Sequence, residues 1–184
     1  MKKQQNLYVA YGSNLNLRQM KYRCPEARLY KIGTLENYAL EFRGMPDHAY
    51  ATITPKEGSS VPVAVWKISP QDERNLDVYE GYPRHYFKEQ VAVDIGGMKV
   101  EAMVYRMNLE AKFGLPSSSY YQTVLQGYRS CGLDTDVLAE ALKISAHAFF
   151  QSQRETQTNE QSESGQPECG MEEAESSLQE GMQL

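Results

Sequence analysis

The stretch LYVAYGSNL, residues Leu7–Leu15, joins a strand-like segment to an abrupt turn, and the rest of the chain is interpreted outward from it. Leu7–Tyr11 is apolar and aromatic, which predicts a short buried strand. The segment Gly12–Asn14 then breaks the apolar pattern, and Asn16–Arg23 has helical character that stops before Pro25. A turn of this kind either redirects the chain or holds a ligand against the backbone.

Strand-like segments dominate the chain after this turn. The segment Val61–Ile68 alternates well, and its Pro62 suggests an edge strand or a strand start. The sequence DIGGMK, residues 94–99, predicts a hairpin whose glycines supply positive φ. All the segments with alternation, aromatic residues or β-branched residues are Arg28–Leu35, Tyr38–Phe42, Ala51–Thr54, Val61–Ile68, Tyr86–Asp94 and Met98–Met107.

The clearest helix lies in SPQDERNLDVYEGYP, residues 69–83. Ser69 is suited to the N-cap, Pro70 to the first helical position and Asp72 to the capping box. Gly81 and Pro83 end the helix. Two later helices are expected at Ser118–Ser130 and Asp136–Phe150, separated by Gly132 and with a cap at Asp134.

Strands and helices do not alternate strictly along this order. A doubly wound parallel sheet is therefore disfavoured, and a mixed α+β or small barrel architecture is favoured. The length of 184 residues suits one domain with an appendage.

The composition divides the chain near residue 150. Residues 151–184 contain eight Glu and one Arg, a net charge of −7, whereas residues 1–150 carry 18 basic and 16 acidic residues, a net charge of +2. The second segment is rich in Gln, Glu and Ser and has few apolar groups to offset its ordering entropy. We expect a folded domain over residues 1–150 and a disordered acidic tail over 151–184.

Several classes of protein are disfavoured. The near-neutral domain has no basic stripe for nucleic acid, and no run approaches the roughly 20 apolar residues of a membrane span. The N-terminus lacks the long apolar region of a signal peptide. Cys24, Cys131 and Cys169 have no CxxC spacing, which favours reduced thiols in the cytoplasm over disulfides or zinc. His48 and the other histidines show no metal spacing either.

Glu80 is the first candidate for chemistry. It lies at the last turn of its predicted helix, where the negative end of the helix dipole disfavours a carboxylate. If the apolar and aromatic neighbours Leu76, Tyr79 and Tyr82 bury it, its pKa rises and it can exchange protons near neutrality. The simpler alternative is an exposed glutamate at a helix end.

The opening turn is the second candidate. The amides from Gly12 to Leu15 can point at a carbonyl oxygen or an anion, because a helix is predicted to begin there. Taken alone, the simpler interpretation is that Asn14 caps that helix.

The motifs in this order resemble the gamma-glutamylcyclotransferase-like (AIG2-like) family. They are YVAYGSNLN, VPVAVWKI, LDVYEGYPRHYF and LPSSSYYQTVLQGYRSCGL, and the resemblance runs from about Leu7 to about Leu142. It implies a small closed β-barrel flanked by helices, and an enzyme that cyclises a γ-glutamyl group to 5-oxoproline and releases an amine. It implies no metal or organic cofactor.

The resemblance also implies roles for particular residues. The family's catalytic glutamate matches Glu80. Its substrate-binding residues match the turn formed by Tyr11, Gly12, Ser13, Asn14 and Leu15, together with Tyr86 and Tyr120. Phe87 adjoins Tyr86, so the register there can slip. The family's Pro-Ser-Pro-x-Tyr reads PSSSYY here, which leaves Tyr120 and Tyr121 as alternatives.

Three functional alternatives remain at the level of sequence. The expected partner is a small γ-glutamyl molecule, with a free amino acid, a lysine side-chain amine or a biosynthetic intermediate as leaving group. A second interpretation is a non-catalytic protein that binds a small ligand or a partner on the same scaffold. The third is a cysteine hydrolase using Cys24 or Cys131. The sequence leaves a homodimer open.

Overall fold

The first strand of the chain closes a five-stranded barrel. A computed structural model describes residues 5–108 and 110–163. Its strands are β1 (Asn6–Ala10), β2 (Arg28–Met45), β3 (His48–Ile68), β4 (Tyr86–Ile95) and β5 (Met98–Met107). Strand β1 pairs antiparallel with β3 on one side and parallel with β5 on the other, where Tyr8 lies opposite Met103. The neighbours around the closed barrel are β1-β3-β2-β4-β5.

The mixed barrel and its helices confirm the expected fold class. The helices are α1 (Leu17–Arg23), α2 (Pro70–Glu80), α3 (Ser118–Ser130) and α4 (Thr135–Glu163), and a single 3-10 turn, Ser13–Leu15, precedes α1. The hairpin between β4 and β5 is also confirmed, with φ of 63° at Gly96 and 90° at Gly97.

Helix α2 has the predicted caps at both ends. The amide of Asp72 donates to Ser69 Oγ at 3.1 Å, and the amide of Ser69 donates to Asp72 Oδ2 at 3.1 Å, which is a complete capping box. Gly81 follows the last helical residue with φ of 64°, a left-handed conformation that glycine adopts without strain. These local contacts determine where Glu80, the last residue of α2, leaves the helix.

Four of the predicted strands are parts of two long ones. The segments predicted on either side of Asn37 form the single strand β2, because Asn37 adopts φ of 62° and the pairing register shifts there instead of breaking. The predicted segments Ala51–Thr54 and Val61–Ile68 are likewise parts of the single strand β3, so Pro62 does not begin a strand. Pro62 pairs with β2 on one side and lies beyond the end of β1 on the other, where Ala10 pairs with Ala64, so its missing N–H interrupts no ladder with β1.

Burial on both faces explains the nearly continuous apolar run of β3. The alternating residues Val61, Val63 and Val65 are fully buried, and so are Ala64 and, almost completely, Trp66 on the opposite face. A strand covered on both sides loses the polar half of the usual alternation. This strand forms part of the barrel core.

Glycine allows the barrel to close between β2 and β4. A Cβ atom at Gly33 would lie 2.6 Å from Val93 Cγ1 and 2.7 Å from the carbonyl oxygen of Asp94. The two strands pair beside it, at Thr34 and Asp94. Any side chain at this position would push the strands apart.

The last helix is longer than the sequence predicts. Its expected end is Phe150, but α4 runs to Glu163. Residues 151–163 contain neither Gly nor Pro and are rich in Gln and Glu, which favour helix. Residues Met1–Gln151 form one compact unit, and a second begins at Ser152. The disordered tail stays a prediction, and its residues 164–184 lie outside the described residues.

No helix within the described residues is both long and apolar enough to cross a membrane.

Candidate active site

The end of α2 and the turn after β1 meet at one cleft. Asn14 Nδ2 donates to Glu80 Oε1 at 2.9 Å, which joins two residues 66 positions apart. Seven of the eight predicted site residues line the cleft, and Leu15 is the exception. Its lining consists of Tyr8, Tyr11, Gly12, Ser13, Asn14, Ala51, Glu80, Tyr86, Tyr105 and Tyr120.

Leu15 supports the turn from behind. Its side chain is fully buried, and its amide donates to the carbonyl oxygen of Gly12 at 3.0 Å inside the turn. Helix α3 packs against it at Gly127, where a Cβ atom would come within 2.6 Å of Leu15 Cβ. The Leu15 amide is therefore committed to the turn, and the amides that can still face a ligand are those of the preceding residues.

Asn14 does not cap the helix that follows, so the simpler sequence interpretation is wrong. The N-cap of α1 is Asn16, whose Oδ1 accepts from the amides of Arg18 and Gln19 at 3.1 and 3.2 Å. The Asn14 side chain is buried and donates to Tyr8 Oη at 2.8 Å as well as to Glu80. Because Asn16 satisfies the helix end, Asn14 is free to hold the carboxylate.

Two of the tyrosines converge on the backbone of Ala51. Tyr86 Oη donates to the Ala51 carbonyl oxygen at 2.9 Å, and Tyr120 Oη accepts from the Ala51 amide at 3.1 Å. Both hydroxyls are thereby fixed at the cleft. Neither Phe87 nor Tyr121 lines it, and the Tyr121 ring packs instead near Phe42, with centroids 6.2 Å apart.

Gly12 keeps space open beside the Tyr120 hydroxyl. A Cβ atom there would lie 3.3 Å from Ala51 Cβ and 3.4 Å from Tyr120 Oη. A side chain at this position would occupy part of the cleft.

Burial dominates the electrostatics of Glu80. It raises the pKa of this carboxyl group to about 7, while the positive charge of Arg23 and the hydrogen bond from Asn14 act in the opposite direction. At neutral pH the carboxyl group is therefore present in both protonation states. A group poised in this way can accept a proton and return it.

The surrounding tyrosines stay neutral. Burial, followed by the nearby Glu80 carboxylate, raises the pKa of Tyr8 and Tyr11 well above the usual range, and burial does the same for Tyr86. Each ring therefore keeps its hydroxyl proton. Tyr11 uses this proton to bond the Tyr105 carbonyl oxygen at 2.6 Å.

Four residues of the site were missed by the sequence interpretation: Tyr8, Ala51, Tyr105 and Arg23. Tyr8 and Tyr105 line the cleft, but nothing in the sequence distinguishes them among thirteen tyrosines. Arg23 donates from Nη1 to Asn14 Oδ1 at 2.6 Å. Its position at the end of α1 was visible, but its reach back to the turn was not.

Of the cysteines in the described part of the chain, Cys24 and Cys131, neither lines the cleft. Cys24 is buried and its Sγ lies 3.6 Å from the carbonyl oxygen of Asp72, while Cys131 contacts the carbonyl oxygen of Leu15 at 3.5 Å. Over residues 5–108 and 110–163, no cluster of His, Cys, Asp and Glu is suited to hold a metal ion.

Comparison with known proteins identifies the class to which this fold and cleft belong. The chain is 31% identical to a gamma-glutamylcyclotransferase from Bos taurus over 137 residues, covering 69% of this chain and 72% of the relative. A Homo sapiens gamma-glutamylcyclotransferase is 28% identical over 140 residues, with the same coverage. A solved structure named gamma-glutamyl cyclotransferase superimposes with a TM-score of 0.69 at 26% identity, covering 75% of this chain and 86% of that one.

The protein is thus an enzyme of the gamma-glutamylcyclotransferase type. Residues 8–123 match the family described as "Gamma-glutamyl cyclotransferase, AIG2-like", and the chain belongs to that family. The matched segment contains every residue that lines the cleft.

Proposed function

We propose that the protein converts a γ-glutamyl amino acid or γ-glutamyl amine to 5-oxoproline and the free amine, with Glu80 as general acid and base. The observation that carries this proposal is the Glu80 carboxyl group. It lies in a cleft, accepts a hydrogen bond from Asn14 at 2.9 Å and has a pKa of about 7.

The reaction needs a group that carries protons from the attacking nitrogen to the leaving nitrogen. The α-amino nitrogen of the substrate must attack its own γ-carbonyl carbon, but near neutral pH this nitrogen is mostly an ammonium group. Ionised Glu80 holds the ammonium, removes its proton and leaves a nucleophilic amine. The new bond joins the α-nitrogen to the γ-carbon, and the bond from the γ-carbon to the leaving nitrogen breaks. Glu80 gives its proton to that nitrogen and, once ionised again, takes the second proton that the α-nitrogen loses on becoming the lactam N–H. This second proton passes to the released amine, which leaves as an ammonium group near neutral pH.

The turn after β1 is suited to stabilise the oxygen that becomes negative. As the ring closes, the γ-carbonyl oxygen gains charge, and preorganised amide donors can lower the barrier by about 3 kcal/mol each. Because the amide of Leu15 is bonded inside the turn, we assign this role to the amides from Gly12 to Asn14. Because Gly12 has no side chain, the substrate can approach these amides closely.

The two tyrosines bonded to Ala51 are suited to different groups of the substrate, because one accepts and the other donates its hydrogen bond to the protein. Tyr120 Oη accepts from an amide, so its own proton is available to a substrate oxygen. Tyr86 Oη gives its proton to a carbonyl oxygen, so its lone pairs are available to the substrate ammonium. Together with Glu80, these groups hold the γ-glutamyl chain in the folded conformation that ring closure requires.

The partner in this proposal is a small γ-glutamyl molecule, and the chemistry requires no metal or organic cofactor. All proton transfers run through one carboxyl group, and the nucleophile belongs to the substrate. The leaving amine, either an amino acid or a lysine side-chain amine, extends away from the γ-carbon. The cleft residues argued above act on the γ-glutamyl part, which is common to both.

The test is to incubate the protein with γ-glutamyl amino acids and γ-glutamyl amines and to measure 5-oxoproline by mass spectrometry. The α-glutamyl isomers of the same compounds are matched controls, because their leaving amine is not on the γ-carbon. Glu80→Gln keeps the size of the side chain and removes its basicity. Glu57→Gln, at an exposed position in β3, controls for the loss of one negative charge.

We expect product from wild type and Glu57→Gln with at least one γ-glutamyl compound, at least about a hundredfold less from Glu80→Gln, and none from the α-glutamyl isomers. Undiminished product from Glu80→Gln would remove Glu80 from the mechanism. If no compound gave product but one raised the melting temperature, the non-catalytic binding function would replace this proposal.

A further inference from the structure

Arg23 links the opening turn to the rim of the cleft. It is the last residue of α1, and its side chain is half-buried. Nη1 donates to Asn14 Oδ1 at 2.6 Å and to Ser13 Oγ at 3.2 Å, while Nη2 donates to Gln19 Oε1. The guanidinium carbon lies 3.6 Å from the centroid of the Tyr79 ring, a cation–π contact. Three hydrogen bonds and one ring contact therefore hold the guanidinium group in place.

The contact with Asn14 selects one orientation of its amide. A guanidinium group only donates hydrogen bonds, so the oxygen of Asn14 must face Arg23. The nitrogen then faces Tyr8 and Glu80, to which it donates at 2.8 and 2.9 Å. Rotating the amide by 180° would place its oxygen against the Glu80 carboxylate and its nitrogen against the Arg23 guanidinium group, so the bonds with both charged partners would be lost. Arg23 therefore determines which end of Asn14 meets the carboxyl group.

We infer that Arg23 is a positioning residue which, acting through the Asn14 amide, holds the Glu80 carboxyl group in the geometry that cyclisation requires. This inference rests on the proposed function of Glu80. It adds a residue that need not touch the substrate and lies outside the motifs discussed above.

The charge of Arg23 acts in the same direction. Six titratable groups around the cleft have pKa values that respond to the Glu80 carboxylate: Tyr8, Tyr11, Cys24, Tyr86, Tyr105 and Tyr120. Burial raises the pKa of all of them, so they are neutral at pH 7. His85 lies against Gly81 in the loop that follows α2. Among the described residues, Arg23 supplies the charge that lowers the pKa of Glu80 against the effect of burial.

Two substitutions separate the charge from the geometry. Arg23→Gln removes the charge and most of the donors. Arg23→Lys keeps the charge but loses the planar fork that reaches two acceptors and stacks on a ring. Arg18→Gln, at an exposed position on the same helix, is the control for a lost positive charge.

The first readout does not depend on activity. The Glu80 side-chain carbon is titrated by NMR in protein carrying ¹³C-labelled glutamate and is assigned with Glu80→Gln. We expect a midpoint near 7 in wild type. It should rise by about one unit in Arg23→Gln, rise by less in Arg23→Lys, which keeps the charge, and change by less than about 0.3 unit in Arg18→Gln. An unchanged midpoint in Arg23→Gln would overturn the inference even if the protein formed no 5-oxoproline.

The second readout is the rate of 5-oxoproline formation. A misplaced carboxyl group affects the reaction more than substrate binding, so Arg23→Lys should lower kcat by about tenfold or more and change KM by less than about threefold. Arg23→Gln should also lower kcat, and the pH at which kcat/KM rises should shift to a higher value. A rise in KM with kcat unchanged would mean that Arg23 binds the substrate directly, which would overturn the positioning role. Absence of product from wild type would instead refute the proposed function.

Discussion

Replacing Glu80 with glutamine should stabilise the folded protein at pH 8 while changing its stability much less at pH 5. In the folded state the pKa of Glu80 is about 7, compared with an ordinary value of 4.5. Between these two values the folded chain holds a proton that the unfolded chain has lost. The free energy of unfolding of wild type therefore falls as pH rises through this window.

The size of the effect follows from the difference between the two pKa values. Each unit corresponds to about 1.4 kcal/mol, so the change from 4.5 to about 7 corresponds to about 3 kcal/mol. Most of this, about 2.5 kcal/mol, is lost between pH 5 and pH 8. Glutamine does not ionise, so the stability of Glu80→Gln relative to wild type should increase by that amount over the same range.

Urea denaturation of both proteins at pH 5, 6, 7 and 8 measures this difference. Other groups titrate in both proteins, so their contributions cancel when the two unfolding free energies are subtracted. Glu57→Gln is the control, and its curve should run parallel to that of wild type. A constant difference between Glu80→Gln and wild type from pH 5 to pH 8 would refute the argument that burial raises the pKa of Glu80.

Three further predictions test the support around the site. Gly127→Ala should destabilise the fold by about 1–3 kcal/mol and slow turnover, because its Cβ would lie 2.6 Å from Leu15 Cβ. Urea denaturation and product formation measure the two effects, and wild-type values for both would contradict this prediction. Tyr120→Phe should lower the unfolding free energy by about 1–2 kcal/mol, since it leaves a β3 amide without its acceptor. Tyr121→Phe should lower it less, and the opposite order would contradict the assignment of this hydrogen bond to Tyr120. Truncation after Phe150 should leave activity unchanged and the melting temperature within about 2 °C of the wild-type value, because residues 151–157 are exposed. A larger loss would mean that the removed segment contributes to the fold.

Local signals allowed the strongest sequence predictions. The bounds of α3 and β5 and the caps of α2 depend on residues close together in the chain. The two glycines of the β4–β5 hairpin likewise determine a turn by their own backbone freedom. Where the deciding contacts lie within a few residues, sequence patterns are sufficient.

Non-local contacts account for what the residues alone did not predict. The closure of the barrel depends on Gly33 meeting β4, and the continuity of β2 through Asn37 depends on its pairing with β3. The residues alone also favoured a helix cap at Asn14, which is wrong for the same reason. Its local environment resembles a helix cap, and only the position of Glu80, 66 residues away, shows that the amide bonds a carboxylate instead.

The family resemblance supplied seven of the ten residues that line the cleft, but not how they are held. It pointed to Tyr86 and Tyr120, yet their opposite hydrogen bonds to Ala51 emerge only from the fold. Leu15 illustrates the reverse case. It belongs to the matching turn, but its contribution is packing behind the cleft instead of a contact inside it.

The most direct test of the central claim is the rate of 5-oxoproline formation by wild type and Glu80→Gln from pH 5 to pH 9. If Glu80 is the general base, kcat/KM of wild type rises as pH passes through about 7, where the carboxyl group ionises. Glu80→Gln should then be slower by a factor of about 10² to 10⁴ above pH 7, and this factor should shrink toward pH 5, where the Glu80 carboxyl group of wild type is protonated. Equal rates in the two proteins, with the same pH dependence, would contradict the claim.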